Sequence, residues 1–124
     1  MKIAVAMQND RRVQNEHFGQ ALRYFIYEST GNADSHKYTL VEKRKNPHHG
    51  RHKHAKVQEI EEVLGDCSVW IGSQMGKGSM KYLPTAGIIP FLTSESSPDK
   101  AVDEFVRQST DSRSTPKGAE HAAD

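Results

Sequence analysis

Cysteine is almost absent from this sequence of 124 residues, in which Cys67 is the only one. A single thiol excludes a disulfide within the chain. It also excludes any metal site for which the chain itself must supply two or more thiolates, as in a zinc finger. Because lone cysteines behave as small hydrophobic side chains, we expect Cys67 to be buried.

Long apolar runs are absent as well. The run from Met1 to Met7 is too short for a membrane span or for the apolar segment of a signal peptide, and the polar residues Gln8, Asn9 and Asp10 follow it directly. We therefore expect a cytoplasmic protein with no membrane partner. The length suits one domain with a core of its own.

Negative charge is missing from one stretch of the chain. The formal net charge is +1, which gives no general reason to expect binding to nucleic acid. Between Lys43 and Lys56, however, six lysines or arginines occur without any aspartate or glutamate. We predict a local cationic patch there, whereas the rest of the chain is net acidic.

The first half of the chain predicts three strands. Residues 3–7 are continuously apolar, which is typical of a central strand buried on both faces of an α/β sheet. Residues 24–28 and 38–42 flank the turn-forming residues 31–35, so we expect them to pair as an antiparallel hairpin.

The second half predicts alternating helices and strands. Apolar residues recur at helical spacing over residues 57–64, and a strand at 68–71 follows. The next helix is short. We expect it to run to about Leu83 and to end at Pro84 and Gly87, because an interior proline removes a hydrogen bond.

The last two predicted elements are a strand at residues 88–92 and a helix. Pro90 cannot donate to a ladder, so this strand belongs at a sheet edge. Ser97 followed by Pro98 is a typical start for the final helix. Beyond Gln108 the only apolar side chains are alanines, so we assign residues 1–108 to one domain and residues 109–124 to a disordered tail.

This order of elements predicts parallel strands in the second half, with helices covering both sheet faces. In open α/β sheets, ligands bind beyond the carboxyl ends of parallel strands, near the switch in strand order. Here that rim gathers the segments that follow Met7 and Ile71. We expect the functional site there.

Four of the seven histidines lie within residues 46–54, a segment we name the histidine loop. Several imidazoles could converge there on a metal ion or on an anionic metal cluster. Ordering a flexible loop costs roughly 1–2 kcal/mol per residue, so the competing interpretation is a solvated basic loop that becomes ordered only with ligand. Arg51 and Lys53 would repel a bare divalent ion but attract an anion, which favours an anionic cofactor.

The stretch Gly72–Gly78 forms a glycine-rich turn before a helix. A P-loop needs four residues between its glycines and a hydroxyl after its lysine; this stretch is one residue short, and Gly78 occupies the hydroxyl position. A nucleotide triphosphatase is therefore disfavoured. The stretch forms either a simple tight turn or an anion-binding helix N-terminus with Lys77 beside it. Met75 either packs or supplies a thioether ligand.

Several motifs taken together resemble a known family. They are the opening Met1–Ala6, Glu16-His17-Phe18-Gly19, Asn46-Pro47 before a His/Gly loop, and Gly72–Gly78 before a helix. From about Met1 to Val106 the chain resembles the dinitrogenase iron–molybdenum cofactor binding family of NifX-like and NafY-like domains. The resemblance implies a ribonuclease H-like three-layer α/β fold, with a five-stranded mixed sheet and helices on both faces.

The same resemblance implies non-enzymatic binding or carriage of an iron–molybdenum or iron–sulfur type cofactor, or of its precursor. A cofactor-assembly or acceptor protein would be the partner, and the chain would be a monomer or weak oligomer. In the family, the histidine of the His-Phe-Gly motif is linked to cofactor binding. That histidine corresponds to His17 here. The competing interpretation is a histidine that caps or hydrogen-bonds to the backbone of its own loop.

The resemblance extends to other positions. Phe18 would anchor the loop, and Gly19 would permit a positive φ or a close ligand approach. Many members carry cysteines in the loop that matches residues 47–54; this chain has none there, which disfavours a thiolate-ligated iron–sulfur cluster. The predicted metal ligands are His17, His48, His49, His52 and His54. The predicted cofactor-binding set adds Phe18, Gly19, Arg51, Met75, Gly76 and Lys77.

Two other function classes compete with a carrier. A divalent-metal buffer or sensor would need only the histidine loop. A hydrolase built on a ribonuclease H-like fold would need clustered carboxylates to hold two metal ions. The first strand offers no carboxylate and Asp10 is the nearest, so we predict no enzymatic activity.

Overall fold

The computed structural model describes residues 1–30, 37–50 and 55–114. The strands are β1 (Lys2–Met7), β2 (Arg23–Thr30), β3 (Lys37–Lys45), β4 (Val69–Gly72) and β5 (Ile89–Leu92). The helices are α1 (Val57–Leu64), α2 (Lys77–Thr85) and α3 (Pro98–Ser114), and a short 3-10 turn covers Phe18–Gln20. The predicted hairpin turn at 31–35, the second half of the histidine loop at 51–54 and residues 115–124 lie outside the described residues.

The strands form one mixed sheet in the order β3-β2-β1-β4-β5. β1 pairs antiparallel with β2 and parallel with β4, and β5 pairs parallel with β4 at the edge. β2 and β3 pair antiparallel as the predicted hairpin. The predictions of a central first strand and of an edge strand containing Pro90 are thus confirmed.

Alternating side chains of β1 point into two separate cores. Ala4 and Ala6 pack with Ile60 and Leu64 of α1 and Leu83 of α2, whereas Ile3, Val5 and Met7 pack with Ala101, Val102 and Phe105 of α3. A strand buried on both faces needs apolar residues at every position, which explains why residues 3–7 are continuously apolar. The protein is therefore a three-layer α/β domain with helices on both sheet faces.

The second helix departs from the predicted boundary. We expected it to end at Pro84, but α2 continues through this proline to Thr85. A proline in the last turn removes only its own N–H, and the chain turns away directly afterwards, where Gly87 has a φ of +79°. Gly87 therefore acts as the predicted stop, one turn later than the proline.

The third helix begins as predicted and extends further along the chain. The Ser97 hydroxyl accepts a hydrogen bond from the Lys100 amide at 3.4 Å, which is the expected capping contact. The helix runs to Ser114, so residues 109–114 of the predicted tail are helical. The domain boundary at Gln108 stays a prediction.

Arg44 on β3 fastens the sheet to the end of α1. Its guanidinium donates to the Val63 carbonyl at 2.7 Å and to the Asp66 carboxylate at 2.8 Å. These contacts hold the pKa of the Asp66 carboxyl well below its usual range. Because α1 forms one wall of the cavity described below, this ion pair helps to fix that wall.

Cys67 is buried at the start of β4, as predicted, with 1 % of its surface exposed. Burial raises the pKa of its thiol to about 12, so the side chain is protonated at neutral pH. No helix within the described ranges is long and apolar enough to cross a membrane.

Candidate functional site

His17 is placed at the carboxyl rim of the sheet by contacts with the turn that follows β4. The Phe18 amide donates to the Gln74 carbonyl at 3.0 Å, and His17 forms a parallel bridge with Gln74. Below it, the Ser73 hydroxyl donates to the Gln14 carbonyl at 2.6 Å. The segments after β1 and β4 therefore meet at the rim, as the sheet topology predicts.

Phe18 is a buried anchor beneath His17, with 5 % of its surface exposed. Its ring stacks on Trp70 with centroids 5.1 Å apart and planes 3° from parallel, and the Tyr24 ring lies at the same distance on a tilt. The Tyr24 hydroxyl donates to the Phe18 carbonyl at 2.9 Å, and burial raises the pKa of that hydroxyl, which keeps it protonated. The anchor fixes the backbone on both sides of the 3-10 turn.

Gly72 is needed to make room for this anchor. A Cβ atom added at Gly72 would lie 2.9 Å from the Phe18 ring, closer than a real contact allows. The glycine at the end of β4 is therefore explained by packing against Phe18. Its role in the glycine-rich turn is steric.

A cavity of about 470 Å³ opens between α1, α2 and the segment of residues 17–22, which we name the His17 segment. Ligand sites in proteins typically span about 300–1,000 Å³, so the size suits a small cofactor. Its base is apolar and its rim is polar. The described lining residues are His17, Phe18, Gly19, Gln20, Ala55, Lys56, Val57, Gln58, Ile60, Trp70, Met75, Gly76, Gly78, Ser79 and Tyr82.

The first turn of α2 faces the cavity with its backbone uncovered. Gly76 is the N-cap and makes no side-chain capping bond. A Cβ atom added at Gly76 or Gly78 would meet no described atom within 4 Å, so a ligand has room to approach the backbone there. Unpaired N–H groups at a helix N-terminus attract negative charge.

The charges around the cavity favour an anion. Among the described residues that line it there is no aspartate or glutamate, whereas Lys56 contributes a positive charge. The Tyr82 hydroxyl donates to the Glu61 carboxylate at 2.6 Å, which raises the pKa of Tyr82. The Glu61 carboxylate therefore accepts a hydrogen bond from Tyr82, and Glu61 is not among the described lining residues.

The first half of the histidine loop, residues 46–50, is tied to the His17 segment. The buried Asn46 amide donates to the Gly19 carbonyl at 3.0 Å and to the Ala21 carbonyl at 2.8 Å. His49 Nδ1 lies 3.3 Å from the Gln20 carbonyl. His48 Nδ1 is shielded from solvent and has no hydrogen-bond partner within the described ranges.

Comparison with known proteins gives a consistent picture. The family model described as dinitrogenase iron-molybdenum cofactor matches residues 1–108. This chain belongs to that family. The sequence resemblance stated above is thereby confirmed, and no functionally curated protein matches the sequence.

Solved structures with a similar fold cover most of the chain. The crystal structure of PH0822 aligns with a TM-score of 0.67 at 16 % identity, covering 87 % of this chain and 92 % of that one. The NMR structure of a candidate NifB protein from Thermotoga gives 0.59 at 17 % identity, with 86 % and 87 % covered. A candidate dinitrogenase from Methanocaldococcus jannaschii gives 0.61 at 14 % identity, with 87 % and 89 % covered. At these identities the likeness shows the fold alone.

Within this family fold, five residues of the predicted site line one cavity. They are His17, Phe18, Gly19, Met75 and Gly76. Lys77 is exposed at the start of α2 and is not among the lining residues, and neither are His48 and His49. Arg51, His52 and His54 lie outside the described residues.

The predicted reason for Gly19 needs correction. We expected a positive φ there, but the described glycines with positive φ are Gly50 and Gly87. Gly19 lies inside the 3-10 turn, whose backbone has negative φ, and a Cβ atom there would make ordinary contacts with Ile60 at 3.8 Å. Close approach of a ligand remains the predicted reason for this glycine.

Predicted metal ligands do not gather within the described part of the chain. No group of three or more His, Cys, Asp or Glu residues there is placed to hold a metal ion. Of the predicted ligands, His52 and His54 lie outside the described residues, so this observation concerns His17, His48 and His49.

Sequence reasoning missed several residues in and beside the cavity. In the sequence, Asn46 was recognised only as part of the Asn46-Pro47 motif. An asparagine side chain that hydrogen-bonds to the neighbouring backbone is common in turns. Ile60 was expected in the core and also forms part of the cavity wall. Gln20, Ser79 and Tyr82 carried no signal in the sequence, because only the packing of distant segments brings them to the rim.

Proposed function

We propose that this family member binds and carries an iron–molybdenum or iron–sulfur type cofactor, or a precursor of it, without catalysing a reaction. The observation that carries the proposal is the convergence of His17, Met75 and the open first turn of α2 on one cavity of about 470 Å³. Each group would meet a different part of such a cargo. No aspartate or glutamate stands among the described lining residues to repel it.

The His17 imidazole is the ligand that we assign to a metal of the cargo. Neutral imidazole donates an electron pair to iron and other transition metals. The Met75 thioether offers a soft, polarizable contact to sulfide-rich surfaces. An anionic cargo would place its negative charge towards the uncovered N–H groups of α2 and towards Lys77 and Lys56.

The histidine loop would contribute further groups to the same cargo. Arg51 and Lys53 would add positive charge, and His48, His49, His52 and His54 would add further imidazoles. A protein that donates or accepts the cofactor would be the partner. A hydrolase is not supported, since Asp10, the nearest carboxylate after β1, pairs with Arg23 at 3.4 Å.

The competing function is a divalent-metal buffer based on the loop histidines alone. The two functions differ in their need for His17. We expect the wild-type chain, after anaerobic incubation with isolated iron–molybdenum cofactor and gel filtration, to retain Fe and Mo. His17→Ala should weaken this retention at least about tenfold, comparable to the loss seen on removing groups that support metal ligands.

The matched control is His121→Ala, because His121 lies outside the residues matched by the family. It should retain as much Fe and Mo as the wild type. Zinc binding, measured by calorimetry, should be the same in His17→Ala and wild type if the loop binds zinc. Equal retention of cofactor by His17→Ala and wild type would refute the proposed role of His17, and strong zinc binding without cofactor retention would favour the buffer.

A further inference from the structure

One buried side chain joins residues 46–50 of the histidine loop to the segment around His17, which lines the cavity. Asn46 exposes 4 % of its surface. Its Nδ2 group donates to the Gly19 carbonyl at 3.0 Å and to the Ala21 carbonyl at 2.8 Å, while its Oδ1 accepts from the His48 amide at 3.0 Å. The amide thus uses both of its donor hydrogens on the His17 segment and its acceptor on the histidine loop.

The backbone of Asn46 reinforces the same junction. Its N–H donates to the Leu22 carbonyl at 3.3 Å, and its carbonyl accepts from the His49 amide at 3.2 Å. A buried polar group is destabilising when it has no partner, so the side-chain and backbone hydrogen bonds of Asn46 all favour this one geometry. No other residue type of this size supplies two donors and one acceptor in this arrangement.

The junction bears on the chemistry of His49. Its Nδ1 lies 3.3 Å from the Gln20 carbonyl. A carbonyl only accepts hydrogen bonds, so a hydrogen bond at this contact places a proton on Nδ1. Neutral His49 then carries its lone pair on Nε2, which is the arrangement found in metal-binding histidines whose other nitrogen donates to a backbone carbonyl.

Gln20 is also part of the cavity lining, and it lies between the two carbonyl groups that Asn46 holds. The position of the Gln20 carbonyl therefore depends on Asn46. Asn46 itself is not among the lining residues, so any effect on a ligand must pass through its neighbours.

We propose that Asn46 is a positioning residue that fastens residues 46–50 of the histidine loop to the His17 segment. It also holds the His49 ring so that the lone pair able to bind a metal lies on Nε2. The use of that lone pair rests on the proposed function. The coupling of the two loops does not, because it is a property of the protein without cargo. The two ideas can therefore fail separately.

The test compares Asn46→Ala and Asn46→Asp with the wild type. Asn46→Asp keeps the acceptor for the His48 amide but loses both donors to the His17 segment. Tyr27→Phe is the control, since it removes a partly buried hydrogen bond, to Asp99 on the α3 side. Far-UV circular dichroism and a thermal melt establish which variants fold.

Long-range ¹H–¹⁵N NMR spectra report the tautomer of each histidine ring, at a pH about two units above the ordinary histidine pKa. We expect His49 to carry its proton on Nδ1 in the wild type and in Tyr27→Phe. In Asn46→Ala it should shift to the Nε2–H form, and the His48 amide should exchange with solvent at least about tenfold faster. In Asn46→Asp the tautomer should shift while the His48 amide stays protected.

A His49 tautomer that is Nε2–H in the wild type, or unchanged in both Asn46 variants, would overturn the inference. If Asn46→Ala does not fold, the His49 tautomer in the wild type and in Asn46→Asp still tests the inference. Isolated iron–molybdenum cofactor is then added to the same samples. If the His49 tautomer depends on Asn46 as expected but the wild type retains no Fe or Mo, the proposed function is refuted and the positioning role of Asn46 stands.

Discussion

Replacing Phe18 by alanine should lower the free energy of unfolding by about 3–5 kcal/mol, the cost typical of deleting a buried aromatic ring. The ring is almost fully buried, and it stacks on Trp70 at 5.1 Å. Alanine would leave a hole between β4 and the 3-10 turn, and the Phe18 carbonyl would lose its fixed place beneath the Tyr24 hydroxyl. Urea unfolding measured by tryptophan fluorescence gives the change directly.

Phe18→Leu is the companion variant, because it keeps most of the apolar volume and loses the stacked geometry. We expect a smaller loss of stability from leucine than from alanine. A total stability of about 5–15 kcal/mol is usual for a domain, so the alanine variant should lose a large share of it. A loss below about 1 kcal/mol for Phe18→Ala would show that the ring does not anchor the His17 segment.

Replacing Gly78 by glutamate should leave the fold intact while weakening retention of an anionic cofactor at least about tenfold. Gly78 lies in the first turn of α2 and lines the cavity, and a side chain there would meet no described atom within 4 Å. Glycine is a poor helix former, and an acid in the first turn suits the helix dipole, so stability should be unchanged or higher. Charge at the cavity would therefore change without a cost in folding.

Gly78→Gln is the matched control, since glutamine has the same size as glutamate without its charge. Retention of Fe and Mo after gel filtration should be close to wild type for glutamine and strongly reduced for glutamate. The difference between the two variants should shrink at high salt, because screening weakens interactions with exposed charges. Equal losses for glutamate and glutamine would show that the first turn of α2 is a steric boundary and not an anion site.

The sheet was predictable because its signals are local. Residues 3–7 are apolar at every position, which only a strand covered on both faces requires, and the structure places them at the centre of the sheet. Pro90 identified the edge strand for an equally local reason, the missing N–H. The boundary at Pro84 was wrong because a proline in the last turn of a helix costs only one hydrogen bond.

The cavity was predictable only in part. The position of the rim follows from the order of strands, so His17 and Met75 could be expected to lie near each other. The walls come from Ile60 and Tyr82, which belong to helices far apart in sequence and look like ordinary members of amphipathic faces. Asn46 was missed as a junction because its partners are backbone carbonyls, and backbone groups leave no mark in a sequence.

Four imidazoles lie close together in the sequence of the histidine loop, and this pattern alone indicates a metal or cofactor site there. In the structure, however, His17 lines the cavity, whereas His48 and His49 do not. The His17 segment is therefore the stronger candidate for ligand binding. The loop histidines that precede Gly50 are tied back to the His17 segment through Asn46. The cavity is therefore the centre of the proposed site, and residues 46–50 are attached to the segment that lines it.

The most direct test is to locate isolated iron–molybdenum cofactor on the ¹⁵N-labelled chain by comparing anaerobic amide NMR spectra with and without it. We predict that signals from residues 17–20 and 75–79 shift or broaden together, whereas those of Lys2 and Asp66, joined by an ion pair outside the cavity lining, stay unchanged. Changes confined to the histidine loop, or no change at residues 17–20 and 75–79 at saturating cofactor, would contradict the assignment of the cavity as the binding site.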